Sequence, residues 1–446
     1  MARFRWPHRT TAALAIFAAV NFFGVSAAIH LLAPKEFRSA TTSLYAREFL
    51  LGQAEDDSWT PMQSALDQMS SDRGKPLYQA IFFAQKIKFQ YPPSSLLALD
   101  LMDHLSGDSI SIDTLNRISW VSIFLLAAIV PATYLLALRK FNAAMMSQFG
   151  TLDLVLQAGL LSLMTLTFYP VTQGFILGNI QTWLTFLFGA SVLAWVCGYE
   201  AVAGILIGLI VAFKPQLVLL LAWAILRGRR GFLIGCAAII AGVEALSVYQ
   251  YGLKNQVDYL PVLSFLSAHG ESFYANQSMN GLLARMLHIG NNAEWLEHDF
   301  PPFHPLVYWG TVLTSAVMIG FALFAGRTKT DEKSLLISYL SAALLITMAS
   351  PIAWEHHYGI MVSIYACVLA LLMGSRPRRQ GLIVAAISYM LASNLFLFAN
   401  LSADSIWNFI QSYLLAAGAL LVLILFRYAA VTANRPVKAE WPLRTE

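Results

Sequence analysis

Apolar runs of about the length needed to cross a bilayer recur along the whole chain. A bilayer core about 30 Å thick is crossed by roughly 20 apolar residues of α-helix. Runs of this kind lie at residues 12–33, 119–138, 154–171, 179–198, 232–249, 305–326, 334–350, 358–374, 382–400 and 406–426. Only 12% of the residues are charged, which is about half the share in a soluble domain. The sequence therefore predicts an all-α polytopic membrane protein in which residues 1–446 form one integral membrane domain.

The charge balance and the cysteines exclude several other classes of protein. The formal net charge is +4 at pH 7, too small at this length to indicate a nucleic-acid partner. Cys197, Cys236 and Cys367 lie within or at the end of apolar runs. An odd number of cysteines in such positions indicates neither a disulfide framework nor a spaced metal site. We therefore expect no metal and no cofactor.

The stretch 201–226 is unusual among the apolar segments because Lys214-Pro215 stands in its middle. It can form one long helix with a lysine buried in the bilayer. Alternatively, it forms two short helices, 201–213 and 215–226, that turn back at the Lys-Pro pair. Proline removes a backbone donor and disfavours helix at the residue before it. The sequence therefore favours a short helical hairpin.

Arginines and lysines indicate the orientation of the chain, because they concentrate in cytoplasmic loops. With a cytoplasmic N-terminus and a hairpin that crosses twice, the cytoplasmic side receives Arg3, Arg5, Arg9, Arg139, Lys140, Arg227, Arg229, Arg230, Arg327, Lys329, Lys333, Arg376, Arg378, Arg379, Arg427, Arg435, Lys438 and Arg444. This distribution predicts about twelve helices with both termini in the cytoplasm. The first run is longer than a signal-peptide core, so we treat it as an anchor. Two long loop regions, 34–117 and 250–304, then face outward.

Lys214 is the clearest candidate for a functional residue. Ionisable side chains at membrane depth are costly and are functional candidates by default. At the apex of a hairpin, the ammonium of Lys214 could bind the phosphate of an anionic lipid or lipid-linked substrate. The alternative is a lysine that reaches towards the interface and only anchors the hairpin. Of the two, we favour the binding role.

A second candidate cluster is Trp354-Glu355-His356-His357-Tyr358, which joins two predicted spans on the outer side. A carboxylate beside two imidazoles offers acid–base capacity and donors for a phosphate. The same residues could instead form an interfacial belt of Trp, His and Tyr. A zinc site is disfavoured, because adjacent histidines point in different directions and the HEXXH spacing is absent.

The first loop region contains a third candidate. Lys88 comes shortly before Tyr91, which is followed by two prolines that force an extended chain. The apolar run 96–102 then lies at or dips into the membrane interface. Two lysines, Lys86 and Lys88, just before such a run suit a lipid phosphate.

Weaker polar signals stand at Gln181, near the start of one span, and at Asn276-Gln277 in the second loop region. These side chains could bind substrate or simply provide polarity at a helix end. Lys214, the Trp354–Tyr358 cluster and the segment from Lys88 to Ser95 fall on one face in the predicted threading. That convergence predicts an outward cavity with cations, imidazoles and carboxylates, which suits a lipid-linked phosphate substrate.

Five motifs occur in a characteristic order between about residues 40 and 375: FQYPPSS, GNIQTWLTFLF, LIGLIVAFKPQLVLLL, ANQSMNGLLARML and SPIAWEHHY. In this order they resemble glycosyltransferase family 87, the polyprenyl-phosphate-mannose-dependent mannosyltransferases with the GT-C fold. The resemblance implies a GT-C-like bundle of membrane helices. It also implies a glycosyltransferase that moves a hexose such as mannose from a polyprenyl phosphate to a lipid-linked or cell-envelope glycan. The reaction would take place on the outer face of a bacterial plasma membrane.

The resemblance also implies roles for individual residues. A carboxylate in the first loop region would act as general base on the acceptor hydroxyl, and the anomeric centre would invert. Lys214, with His356 or His357, would face the phosphate of the leaving polyprenyl phosphate, whose developing charge needs nearby cations. Tyr91 would shape the cavity.

The chain departs from the family pattern at the expected base. The family has an aspartate four residues before a tyrosine soon after the first span, but this chain has Thr41 before Tyr45. The carboxylates that could substitute are Glu36, Glu48, Asp56, Asp57 and, from across the cavity, Glu355. The missing aspartate keeps open a catalytically inactive member of a glycan assembly complex. A transporter or flippase for lipid-linked sugars is a further alternative, although no internal repeat is evident.

Overall fold

The computed structural model describes residues 8–71, 75–326, 328, 330–374 and 378–433. In these ranges the chain is helical, and the single isolated β-bridge pairs Asn276 with Trp354. The α-helices are α1 Arg9–Ala19, α2 Val25–Leu32, α3 Thr42–Leu50, α4 Trp59–Ser71, α5 Leu97–Ser106, α6 Ile112–Phe141, α7 Ala143–Met146, α8 Thr151–Leu166, α9 Tyr169–Ile176, α10 Gln181–Val196, α11 Glu200–Phe213, α12 Leu219–Arg227, α13 Arg230–Tyr251, α14 Leu253–His269, α15 Met279–Met286, α16 Pro305–Phe324, α17 Glu332–Met348, α18 Met361–Leu372, α19 Arg378–Ser393 and α20 Tyr413–Ala433. The all-α class is confirmed.

Short segments of other helix types extend or connect these helices. Two of them are π-helices, Val20–Gly24 and Gln79–Ala84. The others are 3-10 helices: Lys35–Phe37, Pro93–Leu96, Pro215–Val218, Glu355–Ile360, Leu397–Ser402 and Asn408–Ser412. Because Val20–Gly24 joins α1 to α2 without a break, the first apolar run forms one continuous helical span.

Six helical segments of the described chain are long and apolar enough to cross a membrane: Arg9–Leu32, Ile112–Phe141, Arg230–Tyr251, Pro305–Phe324, Glu355–Leu372 and Asn408–Ala429. A seventh is added if α8 and α9, which meet at a bend of 45°, count as one span. Three further apolar helices, Gln181–Val196, Glu200–Phe213 and Pro215–Arg227, are shorter than a full span. The protein is therefore a polytopic membrane protein, whereas twelve crossings remain a prediction.

The helices differ in how deeply they are buried. Every residue of α17 from Ser334 to Met348 is buried, and the span that contains α18 is 94% buried. By contrast, only 17% of the apolar window in α16 and 22% of that in α13 is buried. Apolar side chains can face lipid tails without penalty. The core therefore lies around α17 and α18, while α13 and α16 expose apolar surface suited to lipid.

The chain turns back at Lys214. Helix α11 ends at Phe213, Lys214 is extended (φ −137°, ψ 103°), and the 3-10 helix Pro215–Val218 leads into α12. Arg229, just after α12, lies with its Nη1 3.2 Å from Oε1 of Glu200, where α11 begins. The two ends of the segment are thus side by side, which makes it a hairpin. Since α11 has 14 residues, Lys214 lies about 20 Å from Glu200.

The two loop regions pack on each other. Trp59, Tyr78 and Phe89 of the first region share an apolar core with Tyr259 and Val262 of the second. Hydrogen bonds reinforce this contact, since the backbone N–H of Tyr78 donates to a carboxylate oxygen of Asp258 over 2.7 Å. The two regions form a folded layer at one end of the helices.

Several of the basic residues used to predict the orientation lie outside the described residues: Arg3, Arg5, Arg327, Lys329, Arg376, Arg435, Lys438 and Arg444. The cytoplasmic location of both termini, and the outward direction of the two loop regions, therefore remain predictions.

Candidate functional site

Lys214 is buried at the hairpin apex, with 9% of its surface exposed. Its ammonium donates to Oε1 of Gln181 over 3.0 Å and to Nε2 of His357 over 2.7 Å. Both partners are neutral when they accept these bonds, and Lys214 has no carboxylate within ion-pair distance among the residues described. An ammonium has three donors. One donor and the whole positive charge are therefore left without a direct anionic partner.

The bond to Lys214 fixes the tautomer that we assign to His357. If Nε2 accepts from the ammonium, the ring proton is on Nδ1. This nitrogen is buried and has no hydrogen-bond partner, and the same holds for Nε2 of the adjacent His356. Buried polar atoms normally have partners. The adjacent imidazoles of His356 and His357 thus each leave one hydrogen-bonding nitrogen free.

Gly178 brings the first loop region to this site. Its φ is +62°, and a Cβ at this position would lie 2.0 Å from the carbonyl oxygen of Glu55, so only glycine fits. Backbone N–H groups of Glu55 and Asp57 donate to the carbonyls of Ile176 and Leu177 over 2.7 and 2.8 Å. These contacts place Asp57 beside the start of α10, which carries Gln181.

Asp57 is held by Asn179, whose Nδ2 donates to the Oδ2 atom of Asp57 over 2.5 Å. Asp57 is an exposed residue, although nearby protein partly desolvates its carboxyl. Desolvation raises the pKa of Asp57, and the hydrogen bond from Asn179 and the charge of Lys214 oppose this shift. Asp57 is therefore an accessible carboxylate within electrostatic range of Lys214.

Tyr91 completes this group. Its hydroxyl and that of Ser58 are 2.8 Å apart, and its ring centroid is 5.7 Å from Nζ of Lys214. Tyr91 also lies close enough to Asp57 for the carboxylate to raise the pKa of the phenol, after the larger effect of burial. We call Asp57, Tyr91, Gln181, Lys214 and His357 the Lys214 site. These residues come from the first loop region, α10, the hairpin and the 3-10 helix Glu355–Ile360.

A cavity of about 10 Å³ adjoins Lys214. Its polar lining is formed by Lys214, Gln181, Gln216, Thr347 and His357, and the rest of its lining is apolar. This volume holds about one water molecule. It is too small for a phosphate group, so side chains must move before an anion of that size can reach the ammonium.

Glu355 forms a separate centre. It is 2% exposed, and its two carboxylate oxygens accept hydrogen bonds from the hydroxyls of Tyr169, over 2.7 Å, and Tyr413, over 2.9 Å. Its backbone N–H donates to the carbonyl of Ala275 over 3.0 Å. The guanidinium of Arg285 lies within electrostatic range, but forms no direct ion pair with Glu355 in the described chain. Glu355 is thus enclosed by phenols.

Asn276 and Gln277 connect the second loop region to the rest of the protein. Both are fully buried. Oδ1 of Asn276 accepts from the N–H of Ala353 over 2.9 Å, and its Nδ2 donates to the carbonyl of Glu271 over 2.7 Å. Oε1 of Gln277 accepts from the N–H of Leu414 over 3.1 Å. Their side-chain polar atoms already form hydrogen bonds within the protein. A role in substrate binding therefore stays a prediction.

Lys88 does not join the Lys214 site. Its Nζ donates to the carbonyl of Leu296 over 2.7 Å, lies 3.4 Å from Oε2 of Glu271, and is 3.7 Å from the ring centroid of Trp295. Burial lowers the pKa of Lys88, and the carboxylate of Glu271 opposes that shift. Lys88 therefore joins the first loop region to the second.

Three other residues named from the sequence make no direct contact with Lys214 in the described part of the chain. Glu36 is exposed on the 3-10 helix Lys35–Phe37. Asp56 accepts from the hydroxyl of Thr60 over 2.5 Å at the start of α4. Thr41, where the family has its aspartate, accepts from the N–H of Leu44 over 3.4 Å as the N-cap of α3. Thr41 thus caps α3, and the carboxylate of Asp56 is engaged by a side chain of α4.

Tyr169 and Tyr413 carry no sequence signal that singles them out as functional. Both hold Glu355, but they are separated from it by 186 and 58 residues in the chain. Each tyrosine stands beside an apolar segment, where it looks like an ordinary interfacial aromatic residue. Within the ranges that the structure describes, no three His, Cys, Asp or Glu side chains are grouped so as to hold a metal ion.

The fold and the site together define a polytopic α-helical membrane protein with a buried cation and an accessible carboxylate under a layer formed by two loop regions. The family model described as glycosyltransferase family 87 matches residues 89–351, which is more than half of the chain, and the protein belongs to this family. It is therefore a membrane glycosyltransferase by family. No curated protein matches the chain. Tyr91, Gln181 and Lys214 lie inside the matched range, whereas Asp57 and His357 lie outside it.

Proposed function

We propose that this glycosyltransferase moves a hexose, mannose, from a polyprenyl-phosphate donor to a glycan acceptor that is lipid-linked or part of the cell envelope. The observation that carries the proposal is the buried Lys214 ammonium, which has only neutral hydrogen-bond partners. A buried charge without a counter-ion is costly. A phosphate group that enters the site would supply the missing negative charge.

The donor phosphate would bind between Lys214 and the two histidines. Lys214 offers its charge, His357 offers the N–H at Nδ1, and His356 offers a second unpartnered nitrogen. Tyr91 and Gln181 fix the position of the ammonium. Cations and donors placed where negative charge develops stabilise a transition state more than the ground state. This arrangement would therefore promote departure of the polyprenyl phosphate.

Asp57 is the carboxylate that we assign as general base. It is accessible and lies within electrostatic range of Lys214, whereas Glu355 is enclosed by two tyrosines. In the proposed step, Asp57 accepts the proton of an acceptor hydroxyl, whose oxygen forms a bond to the anomeric carbon. The bond from that carbon to the phosphate oxygen breaks, and the configuration inverts. A raised pKa makes Asp57 a stronger base.

We place the reaction on the outer face of a bacterial plasma membrane, with both termini in the cytoplasm. The two loop regions, which carry Asp57 and Tyr91, would then face the periplasm or exterior. The support for this orientation is the distribution of basic residues in the sequence together with the family's lipid-linked donor.

The test measures release of free polyprenyl phosphate. Purified protein in lipid nanodiscs is incubated with polyprenyl-phosphate mannose and a crude membrane glycolipid extract. We expect release that depends on the extract, that is lost in Lys214→Ala, and that persists in the matched control Lys86→Ala. Lys86 is suitable because its side chain is 57% exposed on the first loop region.

Other outcomes separate the alternatives. Absence of release with mannose, glucose and arabinose donors, from a protein that is folded, contradicts the proposed transfer. Movement of the intact donor between leaflets would then indicate a flippase. Binding without movement would indicate a non-catalytic member of a glycan assembly complex.

A further inference from the structure

The carboxylate of Glu355 has two partly exposed tyrosines near it that it does not bind. The ring of Tyr45, on α3, packs edge-on against the ring of Tyr169 at a centroid distance of 5.4 Å, and Tyr169 donates to Glu355. Tyr274, in the second loop region, directly precedes Ala275, whose carbonyl accepts the backbone N–H of Glu355. Tyr45 and Tyr274 therefore approach Glu355 from two different loop regions.

The hydroxyls of Tyr45 and Tyr274 are free. Neither makes a hydrogen bond within the described part of the chain, and both residues retain exposed surface. Burial and, next, the charge of Glu355 raise the pKa of Tyr45 to about 12. The same two causes raise the pKa of Tyr274. Both phenols thus stay protonated and can donate and accept hydrogen bonds at any physiological pH.

The surroundings of these two hydroxyls suit a neutral polyol. The negative charge of Glu355 disfavours a second anion such as a phosphate. The nearby guanidinium of Arg285 offsets that charge without pairing directly with it. Two free hydroxyls at the edge of aromatic rings match a sugar ring, which presents hydroxyl groups around its rim and apolar C–H groups on its faces.

A row of aromatic rings continues from this point. Phe273 packs against Tyr274 at 4.5 Å and against Trp295 at 5.9 Å, and Trp295 packs against Trp354 at 5.2 Å between ring centroids. Trp295 is 39% exposed. Large, rigid rings that stay accessible are typical of ligand-binding surfaces. Because Trp354 directly precedes Glu355, this row adjoins the same centre.

We propose that Tyr45 and Tyr274, backed by Glu355 and continued by the row of aromatic rings, form a subsite for a neutral hexose ring. This inference rests on the proposed glycosyl transfer and names the sugar-binding part of the same site. The subsite adjoins the phosphate-binding residues, since Glu355 and His357 are two residues apart. The hexose could belong to the donor or to the acceptor, and the kinetic arm of the test distinguishes these two sources.

The binding arm uses methyl α-D-mannopyranoside as the probe. Its affinity for the full-length protein in nanodiscs is measured by saturation-transfer NMR for wild type, Tyr45→Phe, Tyr274→Phe and the double variant. Tyr199→Phe is the matched control, because Tyr199 is 66% exposed next to Glu200 at the far end of the hairpin. One hydrogen bond contributes about 1 kcal/mol, so we expect each single variant to bind about fivefold more weakly.

The double variant should bind the probe at least about tenfold more weakly, and the control should match wild type. Equal affinity in the double variant and wild type, or no binding of the probe to wild type, overturns the subsite. In the kinetic arm, a higher KM for polyprenyl-phosphate mannose assigns the hexose to the donor. A higher KM for the glycolipid extract assigns it to the acceptor.

The two proposals can fail separately. If the probe binds in a tyrosine-dependent way but no polyprenyl phosphate is released, the subsite stands and the proposed transfer does not. If release depends on Lys214 but neither probe binding nor either KM changes in the double variant, the transfer stands and the subsite is overturned.

Discussion

Lys214 and Lys88 are both largely buried and both lie against aromatic rings, yet their surroundings differ in one respect. Lys88 is 3.4 Å from the carboxylate of Glu271 and donates to a backbone carbonyl. Lys214 has only Gln181 and His357 as hydrogen-bond partners. A buried cation with its counter-ion joins parts of a fold, whereas one without a counter-ion is available to an anionic ligand. The comparison thus separates a structural lysine from a candidate binding lysine.

The largest effect is expected for Lys214→Ala. Removing a cation that faces developing negative charge lowers turnover by about 10²–10³-fold. The melting temperature should change little, because removal of an uncompensated buried charge offsets the loss of the two hydrogen bonds to Gln181 and His357. Turnover is measured as release of polyprenyl phosphate, and folding by size-exclusion chromatography. A variant that loses folding and turnover together would mean that Lys214 resembles Lys88 after all.

Asp57→Asn is expected to lower turnover by about 10²-fold, because it removes a general base and leaves the site's shape intact. The reaction should also depend on pH in a specific direction. A base acts only when it is deprotonated, and the pKa of Asp57 is raised. Wild-type kcat/KM should therefore fall as the pH drops through a value above 3.8, the ordinary pKa of aspartate. Persistence of this acid limb in Asp57→Asn would assign it to another group.

Lys88→Ala sharpens the comparison from the structural side. It leaves the Glu271 carboxylate buried without its cation, which destabilises the protein by about 3 kcal/mol. We expect a clear drop in melting temperature and a change in turnover per folded molecule of less than about twofold. Adding Glu271→Gln to the same chain should restore part of the lost stability, since it removes the unpaired charge. A large loss of turnover at unchanged stability would show that Lys88 contributes to the Lys214 site.

Lys86→Ala should have the smallest effect. Lys86 and Asp299 form an ion pair of 2.9 Å in which both side chains are more than half exposed. Exposed pairs contribute about 0–1 kcal/mol. We expect both the melting temperature and the release of polyprenyl phosphate to match wild type. A marked loss of either would show that charge on the loop surface, and not burial, distinguishes these lysines.

The features that the sequence predicts best are those that it encodes locally. Long apolar runs give membrane helices, and Pro215 explains why α11 ends just before Lys214. Polar residues next to apolar runs, such as Lys214, His357 and Tyr91, could be singled out on the same basis. The all-α class followed from these patterns, and the family followed from the resemblance of the five ordered motifs.

Partners that are far apart in the chain could not be predicted. Nothing near Lys88 in sequence indicates Glu271 as its partner, and nothing near Glu355 indicates Tyr413. The sequence offers five substitute carboxylates without a choice among them, and only the packing of the loop regions shows that Asp57 lies near Lys214 while Glu355 is enclosed. The contact that brings Asp57 there depends on Gly178, whose requirement appears only when the opposing backbone is present.

The length of the hairpin sets how far Lys214 lies from the membrane surface. Helix α11 extends about 20 Å from Glu200, and a bilayer core is about 30 Å thick. If the Glu200–Arg229 pair stood at one face and α11 ran perpendicular to the bilayer, the ammonium would lie about 10 Å below the other face. A lipid phosphate must descend from the headgroup layer, or the bilayer must become thinner around the hairpin. Transfer would therefore depend on the thickness of the surrounding bilayer, and shorter acyl chains would bring the donor phosphate closer to its cation.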